Sequence, residues 1–139
     1  RGDLRQQAQA MGVLGQMIIV EASFDKVPAL LKSADILLNP RLVCPGVPQK
    51  LLNYMAAGRP IVSFAGSGRI LEHGKTGLLV YDNCPEGFAR GLLQVIGDAE
   101  LGRKLGTGAQ TYAAQRLSWS VAAEMLETAF DAALAERSN

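Results

Sequence analysis

Acidic residues are missing from the middle of this chain. Between Ile36 and Leu71 there is no aspartate or glutamate, while Arg41, Lys50, Arg59 and Arg69 all fall inside that span. The chain as a whole is balanced, with 14 basic and 13 acidic residues and a net charge of +1. The central excess is therefore local, and the overall balance gives no case for nucleic acid as a partner. Histidine occurs once, at His73, and cysteine twice, at Cys44 and Cys84. A lone histidine in Glu72-His73-Gly74-Lys75 reads as a surface turn residue, since no nucleophile or orienting carboxylate can be placed beside it. Two distant cysteines offer neither a C-x-x-C pair nor metal-ligand spacing. They read as reduced thiols, and the expected location is cytoplasmic. No apolar run is long enough to span a membrane, and no signal-peptide pattern is present. No metal and no cofactor is expected.

What is there concentrates in Pro45 to Phe64. Pro48 suits a first helical turn, where a missing N–H costs nothing. Leu51, Leu52 and Met55 recur at helical spacing and give one apolar face. Gly58 suits the left-handed residue after a helix, and Pro60 stops the helix from continuing. Pro60 to Phe64 is then a short buried strand. A loop that runs into a helix N-terminus presents free backbone N–H groups, and these favour anions. Joined to the local positive charge, the pattern fits a phosphate-bearing ligand, although four basic residues on a solvated surface would look the same. Lys50 is a cation where the helix dipole disfavours one, which is a reason to suspect a ligand there rather than an idle surface lysine. Ala65-Gly66-Ser67-Gly68-Arg69 follows the strand and is expected to turn into another short helix. Its glycines allow a tight turn or close approach of a ligand, but with Leu71 in the third glycine position it is not a dinucleotide fingerprint.

The rest reads as architecture. Asp3 is placed to cap a helix running to about Met11. Met17–Val20, Ile36–Asn39 and Leu78–Tyr81 supply further strands, and Val27–Ser33 a short helix. After Asp82 the pattern is helical, with Phe88, Leu92, Val95 and Ile96 on one face. Leu101, Leu105, Ala109 and Tyr112 form a second stripe, and Val121, Met125, Ala129 and Ala133 a third, flanked by Leu126, Phe130 and Leu134. Such stripes are core or interdomain contacts. Alternating strands and helices predict an α/β fold, a Rossmann-like parallel sheet flanked by helices with helices at the C-terminal end. With 139 residues, 48% of them hydrophobic, residues 1–139 are expected to form a single domain with its own core.

Asn53-Tyr54-Met55-Ala56-Ala57-Gly58-Arg59-Pro60-Ile61-Val62, followed by Gly74-Lys75-Thr76-Gly77-Leu78-Leu79-Val80, resembles the C-terminal domain of family 4 glycosyltransferases of GT-B architecture. Ser33-Ala34-Asp35-Ile36-Leu37-Leu38-Asn39-Pro40 is similar to the family's strand leading into its donor loop. Gly2-Asp3-Leu4-Arg5 and Ser118-Trp119 resemble two of its helix starts. The likeness runs through nearly the whole chain in the family's order. It implies the donor-binding half of an enzyme, retaining in the family's manner, that moves a sugar from a nucleotide diphosphate to an acceptor. By that resemblance Gly46, Val47, Gln49 and Lys50 would hold phosphate and Asn53 the ribose. Arg41 and the turn Gly66, Ser67, Gly68 would lie beside the donor. The family's two donor-gripping glutamates align with Pro45 and Asn53, neither of which is acidic. Asn53 still exchanges hydrogen bonds with hydroxyls, more weakly than a carboxylate; Pro45 offers none.

The resemblance also implies that the chain is an N-terminally truncated fragment, inactive alone, lacking two strands and an acceptor-binding N-terminal domain. In a 3-2-1-4-5-6 sheet the two missing strands lie between Met17–Val20 and Ile36–Asn39. Those two strands are then expected either to pair directly or to dimerise across an exposed edge. Two other readings stay open: a degenerate, non-catalytic module that binds a nucleotide or a partner, and a structural α/β domain that docks on another protein.

Overall fold

The computed structural model describes residues 2–137, with side chains from residue 4 to residue 135. Asp3 and its expected cap lie outside the described side chains. The chain opens with helix α1 (Gly2–Ala10) and passes two 3-10 turns at Leu14–Gln16 and Phe24–Lys26 before the short α2 (Val27–Ser33). Strand β1 (Leu37–Asn39), helix α3 (Gln49–Ala57), strand β2 (Ile61–Phe64) and strand β3 (Leu78–Val80) follow. Helices α4 (Pro85–Gly97), α5 (Ala99–Arg116) and α6 (Trp119–Arg137) complete it.

The three strands are parallel in the order β1-β2-β3. Leu37 lies opposite Ile61 and Asn39 opposite Ser63, and Val62 lies opposite Leu78. This is the expected α/β architecture, and it sorts the side chains by strand alternation. On one face Leu37 and Ile61 pack with Leu51 and Met55 of α3 and Ala109 of α5. On the other, Val62, Phe64, Leu78 and Val80 pack with Phe88 and Val95 of α4 and Leu105 of α5. β2 is buried along its whole length, as its continuous apolar run requires of a strand covered on both faces.

α3 ends as its sequence dictates. Gly58 takes the left-handed conformation (φ 71°, ψ 22°) and its N–H donates to the Met55 carbonyl. At the other end Pro48 stands one residue before the helix, not inside it, and its carbonyl accepts the first bond from the Leu51 N–H at 2.9 Å. Leu51 and Met55 are fully buried, whereas Leu52 faces solvent.

Two expectations fail. Met17–Val20 forms no strand; Ile18 and Val20 are exposed. A β-type run needs a partner to hold its backbone groups, and no strand lies beside it among the described residues. The two edges therefore do not pair directly, and the outer edge of β1 carries no strand among the described residues. After Gly68 the chain makes successive turns instead of a helix, because Leu71 is pulled into the core against α3. Of the two roles expected for the apolar stripe of α6, core or interdomain contact, it does not take the first within this chain: Met125, Leu126 and Phe130 are all exposed.

Candidate functional site

Parallel strands deliver their following loops to one edge of the sheet, and such edges are where open α/β sheets receive ligands. Here that edge carries the loop 40–48 after β1 and the turn 65–68 after β2. The loop leads directly into α3, whose N-terminus lacks a side-chain cap and has no acidic residue in its first turn. The two long helices that follow differ. Cys84 Sγ accepts from the Gly87 N–H at the start of α4, and Asp98 Oδ1 accepts from the Leu101 N–H at the start of α5. With Leu51 bonded to Pro48, the N–H groups of Gln49 and Lys50 are the first-turn donors of α3 that no cap engages.

The loop reaches this position through Gly46, which holds a left-handed backbone at φ 77°. Val47 is half exposed, and Gln49 and Lys50 are exposed beside it. Lys50, Arg41 and Cys44 interact electrostatically. Partial burial, and next the nearby Arg41 guanidinium, push the Lys50 amine below the ordinary lysine value of 10.5. Cys44, the smallest of the three influences, acts in the other direction. Two neighbouring cations without an acidic partner among the described residues form a site that an anion would relieve.

The turn 65–68 is fastened to this loop by protein contacts. Asn39 is fully buried at the end of β1; its Nδ2 donates to Ser63 Oγ at 2.8 Å and to Ser67 Oγ at 2.9 Å. The Ser67 hydroxyl donates in turn to the Arg41 carbonyl. A Cβ on Gly66 would collide with the Leu42 carbonyl oxygen. Gly66 is therefore explained by the approach of the chain's own backbone, and the buried Ser67 hydroxyl faces the protein.

Asn53 is placed elsewhere. It is exposed on α3 and lines a cavity of about 250 Å³ with Phe24, Val27 and Leu31 of the α2 region and Ala56. Neither Arg41 nor Lys50 lines that cavity. The structure thus brings Arg41, Lys50 and the Gly66–Gly68 turn together around the loop, with Asn53 one turn farther along α3. Arg59 is withdrawn from the cluster, since its guanidinium holds the Lys32 carbonyl. Sequence reasoning missed Asn39, Ser63 and Phe24. The first two were visible as polar residues inside apolar strands, which is where a buried hydrogen-bond network must show itself.

Comparison with known proteins follows the same lines. The family profile described as Glycosyl transferases group 1 matches residues 1–98. An uncharacterised glycosyltransferase of Methanocaldococcus jannaschii is 26% identical over 113 residues, 80% of this chain and 29% of that protein. Among solved structures, Anabaena HepE in complex with UDP superposes with a TM-score of 0.82 at 21% identity, over 94% of this chain and 36% of that one. Sucrose-phosphate synthase of Thermosynechococcus elongatus gives a TM-score of 0.81 at 19% identity, over 96% of this chain and 34% of that one. The chain thus spans about a third of the length of these proteins. Its parallel sheet and flanking helices are those of the GT-B glycosyltransferase fold, and the chain belongs to the group 1 glycosyl transferases.

Proposed function

We propose that this chain is the donor-binding half of a family 4 glycosyltransferase that moves a sugar, with retention, from a nucleotide diphosphate to an acceptor held by a second domain. The observation that carries the reading is the uncapped start of α3 beside Arg41 and Lys50. The Gln49 and Lys50 amides, following Gly46 and Val47, bind the diphosphate. Asn53 meets the ribose, and the cavity it shares with Phe24 opens beside that position. In the reaction the bond from the anomeric carbon to the diphosphate oxygen breaks and its electron pair stays on the diphosphate. The anomeric carbon bonds to an acceptor oxygen, and that hydroxyl's proton passes to the departing diphosphate oxygen. Preorganised amides and cations would stabilise the charge developing on the leaving group. Anabaena HepE, which shares the fold, has been solved with UDP-glucose, so a uridine nucleotide is the first probe to use. The reading includes a cytoplasmic location, a separate acceptor-binding domain of which the described length of relatives leaves ample room, and dimerisation through the open edge of β1.

A second reading has its own observation. Pro45 and Asn53 stand where the resembling family places carboxylates, so a non-catalytic nucleotide-binding module remains in view. Titration of the labelled chain with UDP, followed by amide NMR, tests both. Shifts centred on Gln49 and Lys50 support nucleotide binding, and an unperturbed α3 start overturns it. Asn53→Glu then separates the two. Tighter UDP binding marks a degenerate module, whereas weaker binding marks an asparagine suited to its donor.

A further inference from the structure

Asn39 and Ser67 are buried, polar and adjacent to the loop 40–48, yet neither side chain is open to a ligand: Asn39 is 0% and Ser67 1% exposed. Their hydrogen bonds run in one direction only. The Asn39 amide nitrogen gives one hydrogen to Ser63 Oγ and the other to Ser67 Oγ. Each serine has a single hydrogen, and each gives it to a carbonyl. Ser63 donates to Phe64 at 2.9 Å, within its own strand end, while Ser67 donates across to Arg41, in the loop, with the Phe64 carbonyl a longer second contact at 3.4 Å. The polarity is set by Asn39, because only a group with two hydrogens lets both hydroxyls face outward as donors. The amide oxygen Oδ1 accepts no protein hydrogen bond although it is buried. Its retention costs stability, so the working end of the side chain is the nitrogen.

We propose that Asn39 and Ser67 are positioning residues for the donor site: the Asn39–Ser67 relay fastens the Arg41 end of loop 40–48 to the turn 65–68 and holds Arg41 and the α3 approach in register. The close packing of Gly66 on Leu42 is the second half of the same clasp. This rests on the donor-binding reading only for its ligand, since the clasp itself is a property of the free protein.

Ser63 provides the internal control. It is as buried as Ser67 and shares the same amide, but its hydroxyl never touches the loop. Ser67→Ala removes the link to Arg41 and leaves the backbone of the turn; Ser63→Ala removes an equal hydrogen bond without releasing the loop. The test measures thermal stability, amide NMR relaxation across residues 40–48, and affinity for UDP and for uridine. Both variants are expected to lose a similar amount of thermal stability. Only Ser67→Ala is expected to raise backbone motion across the loop and to weaken UDP about five- to tenfold, with uridine little changed because it has no phosphate. Asn39→Asp supports the same conclusion if it folds: an acceptor-only group turns both hydroxyls inward, and the loop loosens as in Ser67→Ala. Equal loop order in the two serine variants overturns the proposal, and so does loss of uridine affinity in parallel with UDP. If the wild-type chain binds no UDP, the donor reading fails, and the relaxation data decide the clasp alone.

Discussion

The guanidinium of Arg59 holds the carbonyl oxygen of Lys32, with Nε donating at 2.9 Å and a second nitrogen of the group donating to the same atom. Lys32 lies in the last turn of α2, where carbonyls have no helical partner. A cation at that end is also favoured by the helix dipole. Arg59 thereby ties α2 to the corner between Gly58 and β2. Replacing it with alanine is expected to lower stability by about 1 kcal/mol in chemical denaturation. Pyrophosphate binding should stay intact, because Arg59 stands apart from the loop cluster.

That bond also shows what was legible in the sequence and what was not. The acid-free span grouped Arg59 with Arg41 and Lys50, since charge counts carry no direction. The fold separates them, and only Arg41 and Lys50 share an environment. The ends of α3 were readable because Gly58 and Pro60 act locally on the backbone. Met17–Val20 was misread because a strand needs a partner, and partnership is not a local property. Asn39 and Ser63 lie 24 residues apart, and only the parallel register of β1 on β2 brings them together. The start of α3 was legible from Pro48 onward as a helix N-terminus, but its contrast with the capped α4 and α5 needed the structure.

The contrast among helix starts can be tested directly. Pro48→Asp would place a capping carboxylate at the start of α3, accepting from the N–H groups of the first turn. Stability should change by less than about 1 kcal/mol, because the gain from the cap offsets the loss of proline's restraint on the unfolded chain. UDP binding should weaken by about tenfold or more, since the carboxylate occupies the amides and repels the diphosphate. Calorimetry on both proteins checks this. Unchanged affinity would place the anion elsewhere.

Asp98→Ala serves as the structural counterpart. Asp98 Oδ1 accepts from the Leu101 N–H at 2.9 Å and closes the start of α5, whose Leu105 and Ala109 are fully buried. Its loss should cost about 1 kcal/mol, read as a lower Tm, with UDP affinity unaltered in the remaining folded protein.

Lys50 links the site to pH. In the free protein, partial burial and then the Arg41 charge hold its amine below 10.5, so the folded state binds the proton less tightly than the unfolded chain does. As pH rises from the folded value toward 10.5, the unfolded chain carries more protons, and this residue's contribution to stability therefore increases. Tyr54 acts oppositely at higher pH, because burial raises its phenol above 10.0 and folding then loses stability as the unfolded phenol ionises. Ligand binding carries a sign of its own. A diphosphate beside Lys50 favours the ammonium and raises its pKa, so binding takes up a proton once the free lysine has begun to lose its own. Affinity is expected to be full below the lowered value and to decline as pH rises through it. UDP titrates too, and Lys50→Met removes that contribution by comparison. The ratio of wild-type to Lys50→Met affinity should fall with increasing alkalinity and approach one. A ratio independent of pH would mean that Lys50 does not face the phosphates.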